Sequence, residues 1–244
     1  MRIRMVLYIT LINMISIILP AYNEEAILKE NTLKVFDFCK ENIKDNWSIV
    51  ISDNGSTDDT PNIARQLAGG FQQIKYLRTQ NQGKGYAVIE AWQNYPSDIY
   101  VFMDADLSTN LKSLPELIER VKNGCDVALG SRFAHNSQVS RSLKRKIFSL
   151  GLRVILKILF KLKVKDAPCG FKAVNQAVVD SILPRIQNKT WFFDTEMLIL
   201  SQRAGFKINE IPVIWQEMYR PSRINSFDVI KDYLKNIYRL YAAK

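Results

Sequence analysis

The sequence is short of the residues from which many active sites are built. It holds one histidine, His135, and three cysteines, Cys39, Cys125 and Cys169, in 244 residues. A lone histidine argues against a histidine-based metal centre and against a Ser-His-Asp triad. His135 reads as a solvated loop residue. The cysteines are scattered, with no pair spaced for metal, and an odd, sparse count fits a reducing compartment without disulfides. No glycine stands in the first polar loop, Pro20-Ala21-Tyr22-Asn23-Glu24-Glu25. A sugar nucleotidyltransferase would favour a glycine-rich loop directly after its first strand, so that absence counts against one. Gly83-Lys84-Gly85 lacks the Gly-x-x-x-x-Gly-Lys-Ser/Thr spacing of a phosphate-binding P-loop. A long apolar run is missing as well. The uncharged stretch over 5–19 is shorter than the roughly 20 residues of a spanning helix, and no small-residue cleavage site follows it. Residues 1–13 read as an N-terminal extension, and 15–19 as a first core strand.

Acid is absent from one whole region. Between Val127 and Lys165 there is no Asp or Glu, but there are ten bases: Arg132, Arg141, Lys144, Arg145, Lys146, Arg153, Lys157, Lys161, Lys163 and Lys165. Setting those ten aside leaves 24 of the 34 Lys and Arg against 24 Asp and Glu, so this stretch carries the whole net charge of +10. Such a concentration is a local device for an anionic surface or phosphate. Within it, 143–162 is apolar and punctuated by bases. Arg145, Arg153, Lys157, Lys161 and Lys165 share one i+4 row, with Ile147, Phe148, Leu150, Leu152, Ile155, Leu156, Leu159 and Phe160 on the other faces. A basic amphipathic helix of this kind suits an anionic membrane interface. Nucleic acid is disfavoured, because aromatics are not interleaved with the bases as stacking platforms.

What is there is an alternation of strands and helices. Strands are expected over 15–19, 47–52, 74–77, 99–103 and 126–129, with helices over 24–42, up to 67, up to 94 and over 111–123. This predicts a mostly parallel sheet flanked by helices. Ligands bind outside the carboxyl ends of such strands. Each unusual polar cluster falls at one: Asn23-Glu24, Asp53-Asn54-Gly55, Gly83-Lys84-Gly85 and Asp104-Ala105-Asp106. In an extended chain residues i and i+2 point the same way, so Asp104 and Asp106 are expected to converge on one divalent cation that carries a diphosphate. Further on, 166–172 reads as a turn, 191–204 as a helix, 208–213 as a late strand, and 226–241 as a C-terminal amphipathic helix with Tyr233, Tyr238 and Tyr241 suited to an interface.

Taken in order, Pro20-Ala21-Tyr22-Asn23-Glu24-Glu25, Asp53-Asn54-Gly55-Ser56-Thr57-Asp58, Gly83-Lys84-Gly85, Asp104-Ala105-Asp106 and Gly130-Ser131-Arg132 resemble family 2 glycosyltransferases of the GT-A fold. Asp166-Ala167-Pro168-Cys169-Gly170-Phe171-Lys172 and Phe193-Asp194-Thr195-Glu196 look like its dolichyl- or polyprenyl-phosphate sugar synthase branch, most of all the glucosyl type. The resemblance covers about residues 14–225. It implies a GT-A domain over that span, within which the charge pattern marks a basic amphipathic segment at 143–165, and the apolar spacing adds a C-terminal amphipathic helix in 226–244. It implies that Pro20, Tyr22, Glu24 and Asp53 line the nucleotide pocket with Lys84, and that Asn54 stands where the family usually has a second Asp. Asp104 and Asp106 would hold Mg²⁺ or Mn²⁺ on the diphosphate, and Arg132 and Lys172 would face phosphates. Asp194 and Glu196 would lie close to the reacting sugar, and Arg220, Ser222 and Arg223 would form a phosphate-contacting loop.

The reaction implied is inverting displacement at the anomeric carbon of a nucleotide sugar, UDP-glucose in preference to GDP-mannose. The acceptor would be a polyprenyl or dolichyl phosphate at the cytoplasmic face of a membrane. A saccharide hydroxyl is the alternative acceptor, and would make Asp194 or Glu196 a base. A non-catalytic membrane scaffold would explain 127–165 but leave Asp104 and Asp106 without purpose.

Overall fold

The computed structural model describes residues 14–140, 142–217 and 226–243. The extension at 1–13 and the loop bearing Arg220, Ser222 and Arg223 lie outside the described residues. The chain opens as expected, with β1 (Met14–Ala21), α1 (Leu28–Asn42), β2 (Asn46–Asp53), α2 (Thr60–Gly70), β3 (Ile74–Arg78), α3 (Lys84–Asn94) and β4 (Ile99–Met103). Next come α4 (Leu114–Lys122), β5 (Val127–Ser131), β6 (Gln138–Ser140) and α5 (Leu143–Phe160). The rest is β7 (Phe171–Asn175), α6 (Gln176–Ile182), α7 (Phe193–Arg203), β8 (Ile208–Pro212), β9 (Ile214–Gln216) and α8 (Ser226–Ala242).

Seven strands form one sheet in the order β3-β2-β1-β4-β7-β5-β8, and β6 pairs with β9 in a two-stranded sheet. Every pairing in the large sheet is parallel except those of β7, which runs antiparallel to both β4 and β5. The strands are buried on both sides, which is why they read as continuous apolar runs. Alternate residues feed two cores. Ile15, Ile17, Leu19, Val101 and Met103 pack under α1, α2 and α4. Ile18, Val50, Tyr100 and Phe102 pack under α3 and α5 to α8, with α7 at the centre. Residues 193–201 of α7 are all buried.

Two sequence expectations need correction. The stretch 166–172 is not simply a turn, because from Phe171 it becomes β7 in the middle of the sheet. A lysine at its second position hid it from a reading based on apolar runs. Lys172 lies opposite Phe102 on β4 and Leu129 on β5, and is fully buried. The basic row on α5 also breaks up. The helix ends at Phe160, with Lys161 left-handed at φ 50°, so Lys165 falls beyond it. Arg153 is half-buried with its guanidinium 5.5 Å from the Phe133 ring centroid. The side chain of Arg145 lies outside the described set. The helix buries Leu152, Leu156 and Phe160, one i+4 row that meets the core. Its opposite face is aliphatic and exposed at Ile147, Leu150, Val154 and Ile158, with Ile158 the barest at 70%. Lys146 and Lys157 are exposed as well, and helical spacing puts them along one flank of that face. Among the described residues no helix is long and apolar enough to cross a membrane.

Candidate active site

The parallel strands β1, β2, β3, β4 and β5 all end at one edge of the sheet, and β7 starts there, since Phe171 pairs with Met103. Strand order reverses between β1 and β4, the place where α/β sheets open a crevice. At that edge β2 delivers Asp53, which is fully buried. Its Oδ1 accepts the Ser56 N–H at 2.9 Å, and its Oδ2 accepts from Arg78 Nη1 and the Tyr76 hydroxyl, both at 3.1 Å. Arg78 Nη2 donates to Ser56 O at 3.1 Å. Asp53 therefore acts together with Arg78, a residue the motifs did not single out. Its signal was available: an arginine closing the strand next to the one Asp53 closes. Pro20, near the end of β1, and Glu24, on the loop after it, are half-buried, and Tyr22 on that loop is exposed. The loop is held to α2, because the Glu24 N–H donates to Thr60 Oγ1 at 2.7 Å and Asn23, at φ 55°, accepts the Thr57 N–H at 2.8 Å.

The acid pair sits past the end of β4 in a tight turn, not in extended chain, so the alternation argument for its convergence does not hold. Leu107 N–H closes the turn on Asp104 O at 3.1 Å, with Leu107 left-handed at φ 54°. The turn is fixed from three sides. Asp104 N–H donates to Gly170 O at 3.1 Å, Asn31 Nδ2 donates to Ala105 O at 2.9 Å, and the Ser108 N–H donates to Asp106 Oδ1 at 2.9 Å. Gly170 has a steric reason to be glycine. A Cβ there would lie 2.1 Å from Asp104 Oδ2, so the carboxylate occupies the space a side chain would take. Burial raises the pKa of Asp106, and the neighbouring Asp104 adds to the rise. Two hard oxygen ligands whose charges oppose each other fit a divalent cation. Among the described residues no group of three or more His, Cys, Asp or Glu is clustered for a metal. Such an ion would therefore need further ligands beyond these two carboxylates.

Two lysines interleave with two acids around Phe102. Lys84 Nζ donates to Asp104 Oδ1 at 2.7 Å, and Lys172 Nζ donates to Asp194 Oδ2 at 3.2 Å and to Cys169 O. Each ammonium lies 5.4 Å from the Phe102 ring centroid. Burial works against the Lys84 charge, but Asp104 and Asp194 outweigh it and its pKa is raised. Arg132 stands beyond, held bidentately by Asp166 through Nε and Nη2 at 2.8 Å each, and its guanidinium is 5.3 Å from the Trp215 ring centroid. Burial opposes its charge too, and Asp166 more than compensates. Asp166 had a sequence signal of its own, as the first acid after the acid-free stretch. Cys169, packed among these groups, has its thiol pushed up to about 12 by burial and then by Asp166, which disfavours the thiolate.

Glu196 departs from the expected arrangement. It is two residues from Asp194, and on a helix that spacing turns it to the far side. Its carboxylate accepts the N–H groups of Asn188 at 2.8 Å and Gln187 at 3.3 Å, and forms a 2.8 Å ion pair with Arg239 on α8. It ties α7 to α8 and does not face the Lys172–Asp194 pair. His135 is exposed on the loop after β5, as expected.

The glycosyl transferase family 2 pattern matches residues 16–183. Glycosyltransferase AglD of Haloferax volcanii is 33% identical over 224 residues, covering 90% of this chain and 35% of that protein. Dolichyl-phosphate beta-glucosyltransferase of Saccharomyces cerevisiae is 31% identical over 238 residues, covering 89% of this chain and 71% of that protein. Dolichol-phosphate mannosyltransferase of Pyrococcus furiosus is 32% identical over 229 residues, covering 93% and 63%. The chain thus spans from about a third to about seven-tenths of these relatives. Among solved structures, glucosyl-3-phosphoglycerate synthase of Mycobacterium tuberculosis in complex with Mn²⁺, UDP and phosphoglyceric acid superposes with a TM-score of 0.67 at 22% identity, over 92% of this chain and 78% of that one. That likeness establishes the GT-A-type fold. The matched pattern spans β1 to α6 and takes in both lysine–aspartate pairs except Asp194, so this chain belongs to glycosyl transferase family 2.

Proposed function

We propose that this protein transfers a hexose, glucose in preference to mannose, from a nucleoside diphosphate sugar to a polyprenyl or dolichyl phosphate at the cytoplasmic face of a membrane. One observation carries the reading. The interleaved Lys84–Asp104 and Lys172–Asp194 pairs meet at the carboxyl edge of the sheet, in a molecule whose α5 turns an aliphatic, base-flanked face outward. The names of the yeast and Pyrococcus relatives support a lipid-phosphate acceptor, and the mycobacterial complexes support a divalent ion with UDP.

In this reading Asp53 and Arg78 hold the base, with Pro20, Tyr22 and Glu24 along the pocket. Asp104 and Asp106 would hold Mg²⁺ or Mn²⁺, which would supply charge stabilisation on the departing diphosphate. Lys84, already drawn to Asp104, adds a second positive group there. An oxygen of the acceptor phosphate forms the new bond to the anomeric carbon from the opposite side. The carbon–oxygen bond to the diphosphate breaks, and its electron pair leaves with the nucleoside diphosphate. With a second pKa near 6 the acceptor phosphate is already ionised, so no base is needed. That accords with Asp194 being engaged by Lys172. Lys172 and Arg132 face the acceptor side, as would Arg220, Ser222 and Arg223.

The membrane contact uses α5 and α8. The latter buries Tyr233, Ile237 and Leu240 and exposes Leu234, Tyr238 and Tyr241. Basic side chains near an anionic surface each contribute roughly 1 kcal/mol. The decisive experiment incubates the protein with polyprenyl phosphate, Mg²⁺ or Mn²⁺ and a panel of UDP- and GDP-sugars, read by mass spectrometry. A lipid-linked hexose is expected. Transfer only to saccharide hydroxyls would overturn the acceptor assignment. Vesicle sedimentation should weaken when Lys146, Lys157 and Lys161 become Gln, and more so when Val154 and Ile158 become Asp. Unchanged sedimentation in both would make α5 an ordinary surface helix.

A further inference from the structure

The Gly83-Lys84-Gly85 loop has to present Lys84 to Asp104, and its backbone is unusual. Gly83 sits at φ 146°, a conformation that side-chain-bearing residues avoid, and a Cβ on it would lie 2.4 Å from Lys189 O. A Cβ on Gly85 would lie 2.8 Å from the same oxygen. One wall of the loop is therefore the 187–192 segment, joined through Tyr86 N–H to Lys189 O at 3.0 Å. A side chain holds the loop as well. Asn54 Oδ1 accepts the Gly83 N–H at 2.7 Å. Because the donor is a backbone N–H, the facing atom of the amide is its oxygen. Asn54 is itself anchored, with its N–H donating to Ala21 O at 2.8 Å across the ends of β1 and β2. Gly83 is also the N-cap residue of α3, and no side chain caps that helix. The hydrogen bond from the Gly83 N–H to Asn54 thus sets where α3 starts and where Lys84, its first residue, points.

We propose that Asn54 is a positioning residue for the transfer reaction: its side-chain oxygen holds Gly83 so that Lys84 meets Asp104 at the donor diphosphate. The inference rests on the reading of Lys84 and Asp104 as the diphosphate end of the donor site. What the position requires is a hydrogen-bond acceptor of this length. Aspartate supplies one and alanine does not.

The test compares Asn54→Ala, Asn54→Asp, Lys84→Ala and the double variant Asn54→Ala/Lys84→Ala. It reads UDP affinity by calorimetry, sugar transfer, and hydrogen exchange of the 83–86 segment by mass spectrometry. Asn54→Ala should weaken UDP binding ~10-fold and lower kcat/KM ~30-fold, with faster exchange confined to 83–86 and its neighbours. Asn54→Asp should recover to within ~3-fold. On the Lys84→Ala background the alanine change should cost less than ~3-fold, because the group it positions is gone. An equal penalty with and without Lys84, or failure of Asn54→Asp to recover, would overturn the inference and leave Asn54 a plain structural contact. Should Lys84→Ala bind UDP as the parent does, the donor-site reading falls and takes this inference with it. Should only Asn54→Ala behave as the parent, this inference alone falls.

Discussion

The proposed donor end of the sheet and the helical layer at α8 use acidic residues in opposite ways. At the donor end Asp104 is left partly open, with 43% of its side chain exposed, and meets a single lysine. Asp106 carries a charge that its surroundings oppose. Under α8 the acids are closed off by partners. Glu196 is 1% exposed and satisfied by two backbone N–H groups and Arg239. Asp232 accepts from Asn188 Nδ2, Thr190 Oγ1 and Asn236 Nδ2. The first arrangement leaves lone pairs for a cation and a ligand. The second uses them to tie α8 to α7 and to the 187–190 segment. The difference teaches that an acid in a motif is read correctly only when its partners are known, since Asp194 and Glu196 share one motif and serve different sides of α7.

Changes at the donor end should abolish chemistry and spare the fold. Asp106→Asn should lower kcat by ~1,000-fold or more in the transfer assay. The sign of its stability effect is opposite. A carboxyl whose folded pKa is raised stabilises the fold below its unfolded pKa and loses that contribution as pH rises through the raised value. At neutral pH and without divalent ion, Asp106→Asn should therefore melt about 2 °C higher than the parent. The gap should close on acidification, as followed by circular dichroism. A lower melting temperature would show that Asp106 belongs to the scaffold.

Gly170→Ala is next in size. The added carbon must displace the Asp104 carboxylate, so kcat should fall ~100-fold while the melting temperature moves by no more than a few degrees. Normal activity in this variant would mean that Asp104 has another productive position.

Glu196→Gln should reverse the pattern. It leaves Arg239 without its carboxylate and should cost about 2–4 kcal/mol in urea denaturation. Activity per folded molecule should change less than ~10-fold. A larger loss of turnover at full stability would put Glu196 back beside the sugar. Asp232→Asn should give the smallest effect, ~1 kcal/mol, because it keeps an acceptor for Asn188 and Thr190 but loses charge.

Much of this was legible from residue order. The strands expected over 47–52, 99–103 and 126–129, the helix up to 94 and the loop motifs all follow from local apolar patterning, which a sheet buried on both faces enforces, and the structure moves their ends by at most two residues. β7 was not legible, because its apolar run is broken by Lys172, and that lysine is tolerated only because Asp194 and Cys169 O receive it. The i+4 row of bases on α5 misled for a related reason. Periodicity says which residues share a face, but whether that face is open depends on what packs there. Arg153 found Phe133, and the outward face went to aliphatic residues.

The sequence by itself determined the alternating α/β layout, the strand-end placement of the polar loops and the family, because these depend on local propensity and on motifs in order. Only the tertiary structure decided how these charges are paired. Arg132 is joined to Asp166, Glu196 to Arg239 and Asp53 to Arg78, whereas Asp104, though it meets Lys84, keeps 43% of its side chain exposed. Each of these pairings joins residues distant in the chain, and a buried charge is stable only with such a partner.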